Sequence, residues 1–465
     1  MAKKLDRKVS KLSLDADYFL HMLRDRKTEM YVKFAKVMVI CQGPYTEDRL
    51  KMATEVEKIF KSSSRVLSDN TYRSEFKTTC SPDGTEEFFT YLKQEVKIAL
   101  ESGYNLIYID TTLSNFWQNQ YYIAAAKKMQ YTVLVLPPVV TKKPNVMSWP
   151  KGSQADSFHK ILKARIQAPN MFQHLFCGWF LHDIDSEELR NECALYANDL
   201  IENIPDFREW FSKGNKEEDV TFTRYFDLIK EDVEKKKLVM REDLAFCPVK
   251  VFENDFSMQE YFDKPIVREH YGRMSKLHIV GFVISPHMVA ARVKLTHKQK
   301  ELWEMDDKAS ENQEKLFKLQ FPTKLYESLS ELPPLDPEVK RICSKSNNTI
   351  VKADSVFDPT DLIPPFAKGR SAHIVLGTSL KASHADIDYG VAFALNREFS
   401  ASKQEDLEIE VVDIGRSQVK RIGKYWIVYL KDTLYVNGFF ASCLKPEEFD
   451  TPVQAQKKQV LFSKK

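Results

Sequence analysis

The residues best placed to do chemistry in this chain lie in Ser371-Ala-His-Ile-Val-Leu-Gly377. An imidazole titrates near neutral pH and can move a proton there. A His-x-Thr/Ser element adds a hydroxyl two residues on, aimed at an anion. Two such elements on neighbouring strands make a two-histidine phosphoester-cleaving site. His373 supplies one ring, but Val375 holds the hydroxyl position with nearly the shape of threonine and no donor. None of the 10 histidines begins an intact copy of the element. Half of such a site is present, and its hydroxyl is gone.

The elements that must position His373 are legible from periodicity. Lys36-Val-Met-Val-Ile40, Asn105-Leu-Ile-Tyr-Ile-Asp110 and Tyr131-Thr-Val-Leu-Val-Leu136 are short apolar runs. They alternate with helix-like stretches at Glu47 to Phe60, Glu86 to Ser102 and Phe116 to Met129. Leu50, Ala53, Val56 and Ile59 recur at helical spacing in the first of these stretches. The pattern predicts an α/β domain with a parallel sheet covered on both faces. Pro144, Pro150 and a Lys-Lys pair mark a linker between Val139 and Pro169. Beyond it, Ser186 to Ile204 reads as an amphipathic helix. Strand-like runs follow at 245–252, 277–284, 289–295, 372–377, 407–412, 426–430 and 433–440. Several alternate apolar with polar residues, which predicts an α+β domain with antiparallel sheet. A polar, proline-rich stretch from Asp306 to Lys368 interrupts that domain. The expected division is a basic segment at 1–30, an α/β domain at 31–140, a linker at 141–169, the second domain at 170–445 with its insertion at 306–368, and a tail at 446–465.

Composition narrows the partners. The chain has 465 residues, 43% hydrophobic, with 69 basic against 66 acidic side chains and a net charge of +3. A near-balanced charge excludes a general polyanion-binding field, so any nucleic-acid contact must be local. The 7 cysteines form no CxxC pair, which argues against a zinc site or a disulfide framework and for a reducing, cytoplasmic setting. Neither a metal nor another cofactor is expected. No secretory leader and no bilayer-spanning run is expected, and Leu461-Phe-Ser-Lys-Lys465 lacks the cysteine that prenylation uses. The basic start (Lys3, Lys4, Arg7, Lys8, Lys11) offers charge for peripheral contact with an anionic membrane, against the ordinary alternative of a solvated tail.

A resemblance gives these pieces a common frame. Gly178-Trp-Phe-Leu181, Arg224-Tyr-Phe226, His270-Tyr-Gly272, the run from Leu277 to Trp303, Ala372-His-Ile-Val-Leu-Gly377 and Gly423-Lys-Tyr-Trp426 resemble, in order, the 2′,3′-cyclic-nucleotide 3′-phosphodiesterase (CNPase) family of the 2H phosphoesterase superfamily. The resemblance implies a P-loop, polynucleotide-kinase-like domain followed by a 2H phosphoesterase domain. In the family one histidine activates an oxygen and the other handles the leaving oxygen, while paired threonines hold the phosphate. Carried onto Ala245-Phe-Cys-Pro-Val-Lys250, the first motif places Phe246 at a histidine and Pro248 at a threonine. Phe246 moves no proton, and Pro248 offers neither a hydroxyl nor an N–H. Loss of one acid or base costs about 10² to 10⁴ in rate, so with three of four groups replaced the ordinary mechanism should not operate.

The same carry-over degrades the phosphate loop. After Ile40 the chain reads Cys41-Gln-Gly-Pro-Tyr-Thr-Glu-Asp-Arg-Leu50, so Gly43 and Pro44 lead to Glu47 in place of a glycine and Asp48 in place of the lysine. Carboxylates there oppose a polyphosphate, and ATP binding is not expected. Asp110 falls at the family's magnesium-side aspartate and Asp69 at its substrate-side aspartate, though helix capping explains a lone carboxylate equally well.

Lys250, Tyr271 and Arg273 are candidates for contacting a nucleotide or RNA by charge and stacking. For His270-Tyr-Gly-Arg273 the ordinary alternative is a turn into the following strand, for Lys250 a solvated lysine, and for Cys177 and Cys247 buried thiols. The expectation is a catalytically inactive CNPase-like protein that binds RNA, a nucleotide or a protein partner. The alternative is an active cyclic phosphodiesterase whose acid or base has moved to His278 or His384, with Lys250 on the phosphate.

Overall fold

The computed structural model describes residues 21–41, 47–76, 86–110, 116–136, 174–214, 245–252, 260–285, 288–303, 372–378, 391, 394–395, 410–422 and 425–444. The chain divides into two compact units. The first takes Met1–Phe176, Phe252–Asp263 and Ser442–Lys465, and the second Cys177–Val251 and Lys264–Ala441. The proposed linker, the insertion from Asp306 to Lys368, the first 20 residues and the tail from 446 lie outside the described residues.

In the first unit, α1 (Arg26–Val32) precedes the strands β1 (Val37–Cys41), β2 (Ser64–Ser68), β3 (Leu106–Asp110) and β4 (Thr132–Leu136), interleaved with α2 (Glu47–Phe60), α3 (Asp69–Phe76), α4 (Glu86–Glu101) and α5 (Phe116–Lys128). The sheet order is β2-β3-β1-β4, and all its pairings are parallel. Every residue of β1, β3 and β4 is buried, which is why these strands read as unbroken apolar runs rather than alternating ones. Phe88, Leu92, Val96, Ala99 and Leu100 line the inner side of α4 and join Met38, Ile40, Ile107 and Ile109 in one core. That helix ends at Gly103, whose φ of +70° favours a residue without a Cβ. The end of α5 makes the same turn with Gln130 at φ +61°.

The second unit holds β5 (His174–Leu181), β6 (Phe246–Val251), β7 (Met274–Ser285), β8 (Met288–Lys294), β9 (His373–Thr378), β10 (Glu410–Asp413), β11 (Ser417–Ile422) and β12 (Tyr425–Leu444). Its helices are α6 (Asp183–Asn203), α7 (Pro205–Gly214), α8 (Pro265–His270) and α9 (His297–Glu301). The order is β10-β11-β12-β7-β8-β9, with β5 paired to both β12 and β6, and the pairs along that path are antiparallel. Because β6 packs beside β9, the sheet curls almost into a barrel.

Two expected strands, 426–430 and 433–440, are one 20-residue strand, β12. Lys431-Asp-Thr433 looks like a turn, but the extra residues are absorbed by a register shift between Tyr429 and Leu434. β2, β5 and β11 were not expected as strands.

Candidate functional site

Alternation sets the chemistry that each strand of the second unit can present. Along β6, Ala245, Cys247 and Val249 are buried while Phe246, Pro248 and Lys250 are half-buried on the other face. β6 pairs only with β5 among the described strands, so Pro248, which cannot donate to a ladder, sits on an edge strand where it is tolerated. Gly178 of β5 is required there: a Cβ would meet the Cys247 carbonyl oxygen at 2.4 Å. Beside it the Phe180 and Phe246 rings lie 5.6 Å apart. Phe246 is thus engaged in an apolar aromatic contact.

On β9, His373 is 3% exposed, and Val375 and Gly377, half-buried, share its face. His373 stands opposite Arg292 of β8, and Val375 opposite Ala290. The Arg292 guanidinium lies 5.0 Å from the Tyr429 ring centre, and the Lys420 ammonium 4.8 Å from the same ring. The surviving histidine therefore neighbours a cation–aromatic layer that runs from β8 to β11. The fold brings the two motif strands together, but it brings together one imidazole, one valine, one phenylalanine and one proline.

His278 does not complete the pair. It faces Lys294, not Arg292, on β8, so it is two strand spacings and one two-residue step from His373, about 12 Å. Its ring packs instead on Tyr435, with centroids 4.9 Å apart. Burial, and then the Lys294 charge, hold its pKa below the ordinary 6.5. His384 lies outside the described residues.

The other candidates are placed as follows. Tyr271 is 3% exposed and its N–H caps α8 by donating to the Val267 carbonyl at 2.8 Å. Gly272, at φ +75°, donates to the Phe440 carbonyl at 2.7 Å, and His270 pairs through Nδ1 with the Ile266 carbonyl at 2.9 Å. This stretch is the turn that launches β7. Arg273 is partly exposed and 3.6 Å from Glu269. Lys250 is half-buried at the end of β6. Cys177 and Cys247 are both fully buried, and burial pushes the Cys193 thiol well up.

In the first unit, Asp110 is 1% exposed and stands in register with Cys41 of β1 and Ser68 of β2. Asp69 follows Ser68 as the first residue of α3, and α2 opens with Glu47 and Asp48. Asp110 thus ends its strand at the carboxyl edge of the sheet, where the strand order reverses, the place at which open α/β sheets hold ligands. Gly43 and Pro44 lie outside the described residues. Among the described residues no three His, Cys, Asp or Glu side chains are grouped to hold a metal, and no helix is long and apolar enough to cross a membrane.

Sequence reading passed over Arg292, Lys420 and Tyr429. Alternation in Ala290-Ala-Arg-Val-Lys294 marks Arg292 as outward-facing, but only the register shows which residue it meets.

Comparison with known proteins agrees with this framework. Residues 173–319 match the family described as 2′,3′-cyclic nucleotide 3′-phosphodiesterase (CNP or CNPase), a span that includes β5 to β8 and stops before His373. The 2′,3′-cyclic-nucleotide 3′-phosphodiesterase of Rattus norvegicus is 21% identical over 305 residues, 63% of this chain and 68% of the relative. That of Mus musculus is 21% identical over 298 residues, 62% and 67% of the two chains. That of Pongo abelii is 20% identical over 429 residues, 90% and 85%. Over residues 173–319 the chain is similar to this family, and identities of 20–21% make it a distant, CNPase-like relative of these phosphodiesterases.

Proposed function

We propose that this chain is a CNPase-like binding module that has lost two-imidazole catalysis and engages a nucleotide or RNA end, or a protein partner, without turnover. The observation that carries the reading is the meeting of β6 and β9 with Phe246 and Pro248 on one strand and His373 and Val375 on the other. Proton transfer at both the attacking and the leaving oxygen needs two titratable groups. Of the four motif positions only His373 is titratable, and among the described residues His278 stands opposite Lys294 and packs on Tyr435 rather than beside His373. Lys250 and Arg273 supply charge for a phosphate, and Arg292 adds to it beside His373. The first unit is read as a degenerate P-loop domain, in which Glu47 and Asp48 in the sequence replace the glycine and lysine that a polyphosphate needs, so ATP is disfavoured.

Purified protein incubated with 2′,3′-cyclic AMP should give no enzyme-dependent 2′-phosphate by chromatography. Robust conversion that His373→Ala abolishes would reject the reading and favour an enzyme with a relocated acid or base. The combined variant Phe246→His, Pro248→Thr and Val375→Thr should gain measurable phosphodiesterase activity, because the strands that hold the motifs are in place.

A further inference from the structure

The open face of the large sheet, one register row away from His373, carries a set of groups that neither the core nor the candidate site uses. Tyr435 of β12, His278 of β7 and Lys294 of β8 stand directly opposite one another across three neighbouring strands. Lys276 lies one two-residue step along β7, on the same face. The reverse face is the core: Leu277 and Ile279 are fully buried, Val293 is 3% exposed and Val436 4%. Tyr435 is 52% exposed, so its ring is not there to fill a core. The His278 ring packs 4.9 Å from it at an interplanar angle of 33°, and the Lys276 ammonium lies 5.8 Å from its centre.

We propose that this face is a docking surface for single-stranded nucleic acid, with bases stacking on Tyr435 and His278 and phosphates meeting Lys276 and Lys294. Three features select that partner. The strands β7 and β8 contain no acidic residue, so the surface is locally cationic on a chain whose total charge is near zero. One carboxylate at the end of the row, Asp185, is held by the Asn437 backbone and side-chain amides at 3.0 and 3.1 Å. Two adjacent rings offer π-faces that any base can use, which an acidic peptide has no need of. In the other direction the row is followed on β8 by Arg292, opposite His373, so a strand lying on the face continues toward the candidate site. The proposal rests on the chain being a nucleic-acid-binding module. The two fail separately, because the cleavage assay tests His373 and oligoadenylate binding tests Tyr435.

The test is fluorescence anisotropy of the full chain with a short fluorescein-labelled oligoadenylate at several salt concentrations. Tyr435→Ala should weaken binding roughly 5- to 100-fold, and Tyr435→Phe should restore most of it. Lys276→Ala and Lys294→Ala should each reduce the slope of log K against log salt by about one. Lys58→Glu, at a side chain 73% exposed in the first unit, should change nothing. Lys276 and Tyr435 are both exposed, so these variants should melt like the parent by circular dichroism. The proposal is overturned if the parent does not bind the oligoadenylate or if Tyr435→Ala binds like the parent. It is equally overturned if polyglutamate binds with the same dependence on Tyr435, which would make the face a site for acidic peptides.

Discussion

The two sheets of this protein use their residues in opposite ways. In the first unit β1, β3 and β4 are buried along their whole length, so each side chain is committed to packing and chemistry is confined to the strand ends at Cys41, Ser68 and Asp110. In the second unit β6 and the first half of β7 alternate, so half of each strand packs and the other half is available to a ligand. A strand of the second kind can exchange a catalytic residue for an inert one without disturbing the core behind it. Phe246 and Pro248 stand half-buried on the second face of β6, whereas Val375, also half-buried, packs against a small core cluster that includes Ala290, Leu395 and Tyr429.

Substitutions should expose this difference. The largest effect is expected from Ile107→Ala, which removes a fully buried side chain from between two helix layers and should cost about 2–5 kcal/mol in chemical denaturation. Gly281→Ala should come next. Its added Cβ would lie 2.0 Å from the Val428 carbonyl oxygen, and since both partners are backbone the strands must separate, at roughly 3 kcal/mol. On the open face the result reverses: Lys276→Ala should change stability by no more than about 0.5 kcal/mol. If Lys276→Ala were as damaging as Ile107→Ala, the open face would be structural and the contrast between the sheets would disappear.

The same contrast explains what could be seen in the sequence. Uninterrupted runs such as Leu106-Ile-Tyr-Ile-Asp110 are legible because burial on both faces leaves one apolar signal. β2 was missed because Ser64, Arg65 and Ser68 dilute a five-residue strand whose fully apolar part is only Val66 and Leu67, and it lies at the sheet edge. In the second unit most strands were legible, β5 and β11 excepted, but the pairing was not. Nothing near Tyr435 in the chain reveals that it stands opposite His278, since register between distant strands is set by bulges such as the one after Ile279. Phe246 and Pro248 were recognisable only through the resemblance, because an apolar ring in a strand looks like any other packing residue.

A smaller prediction concerns the end of α5. Gln130 holds a left-handed conformation at φ +61°, while its N–H donates to the Lys127 carbonyl at 3.0 Å and the Tyr131 N–H to Ala126 at 2.9 Å. Glycine adopts that conformation without the clash of a Cβ. Gln130→Gly should therefore stabilise the first unit by up to about 1 kcal/mol, seen as a rise in its melting temperature. The matching change at Gly103, φ +70°, has the opposite sign: Gly103→Ala should destabilise although open space surrounds its missing Cβ.

The smallest effect is a pH dependence on the open face. Burial, then the positive charge of Lys294, lower the pKa of His278 in the folded protein, whereas the unfolded chain has the ordinary value near 6.5. Below that value the unfolded state takes up a proton first, so this residue weakens the fold as the pH falls through 6.5 and stops doing so once the folded form is also protonated. His278→Gln should flatten the melting temperature between neutral and mildly acidic pH, and Lys294→Gln should make the loss smaller and end it at a higher pH, because relieving the repulsion raises the folded pKa toward the unfolded one. An oligonucleotide bound along Tyr435 and Lys276 should act in the same direction as Lys294→Gln, because its phosphates favour the imidazolium. A His278 resonance that titrates identically with and without the oligoadenylate would place the nucleic acid elsewhere, and the open face would then be polar only because water covers it.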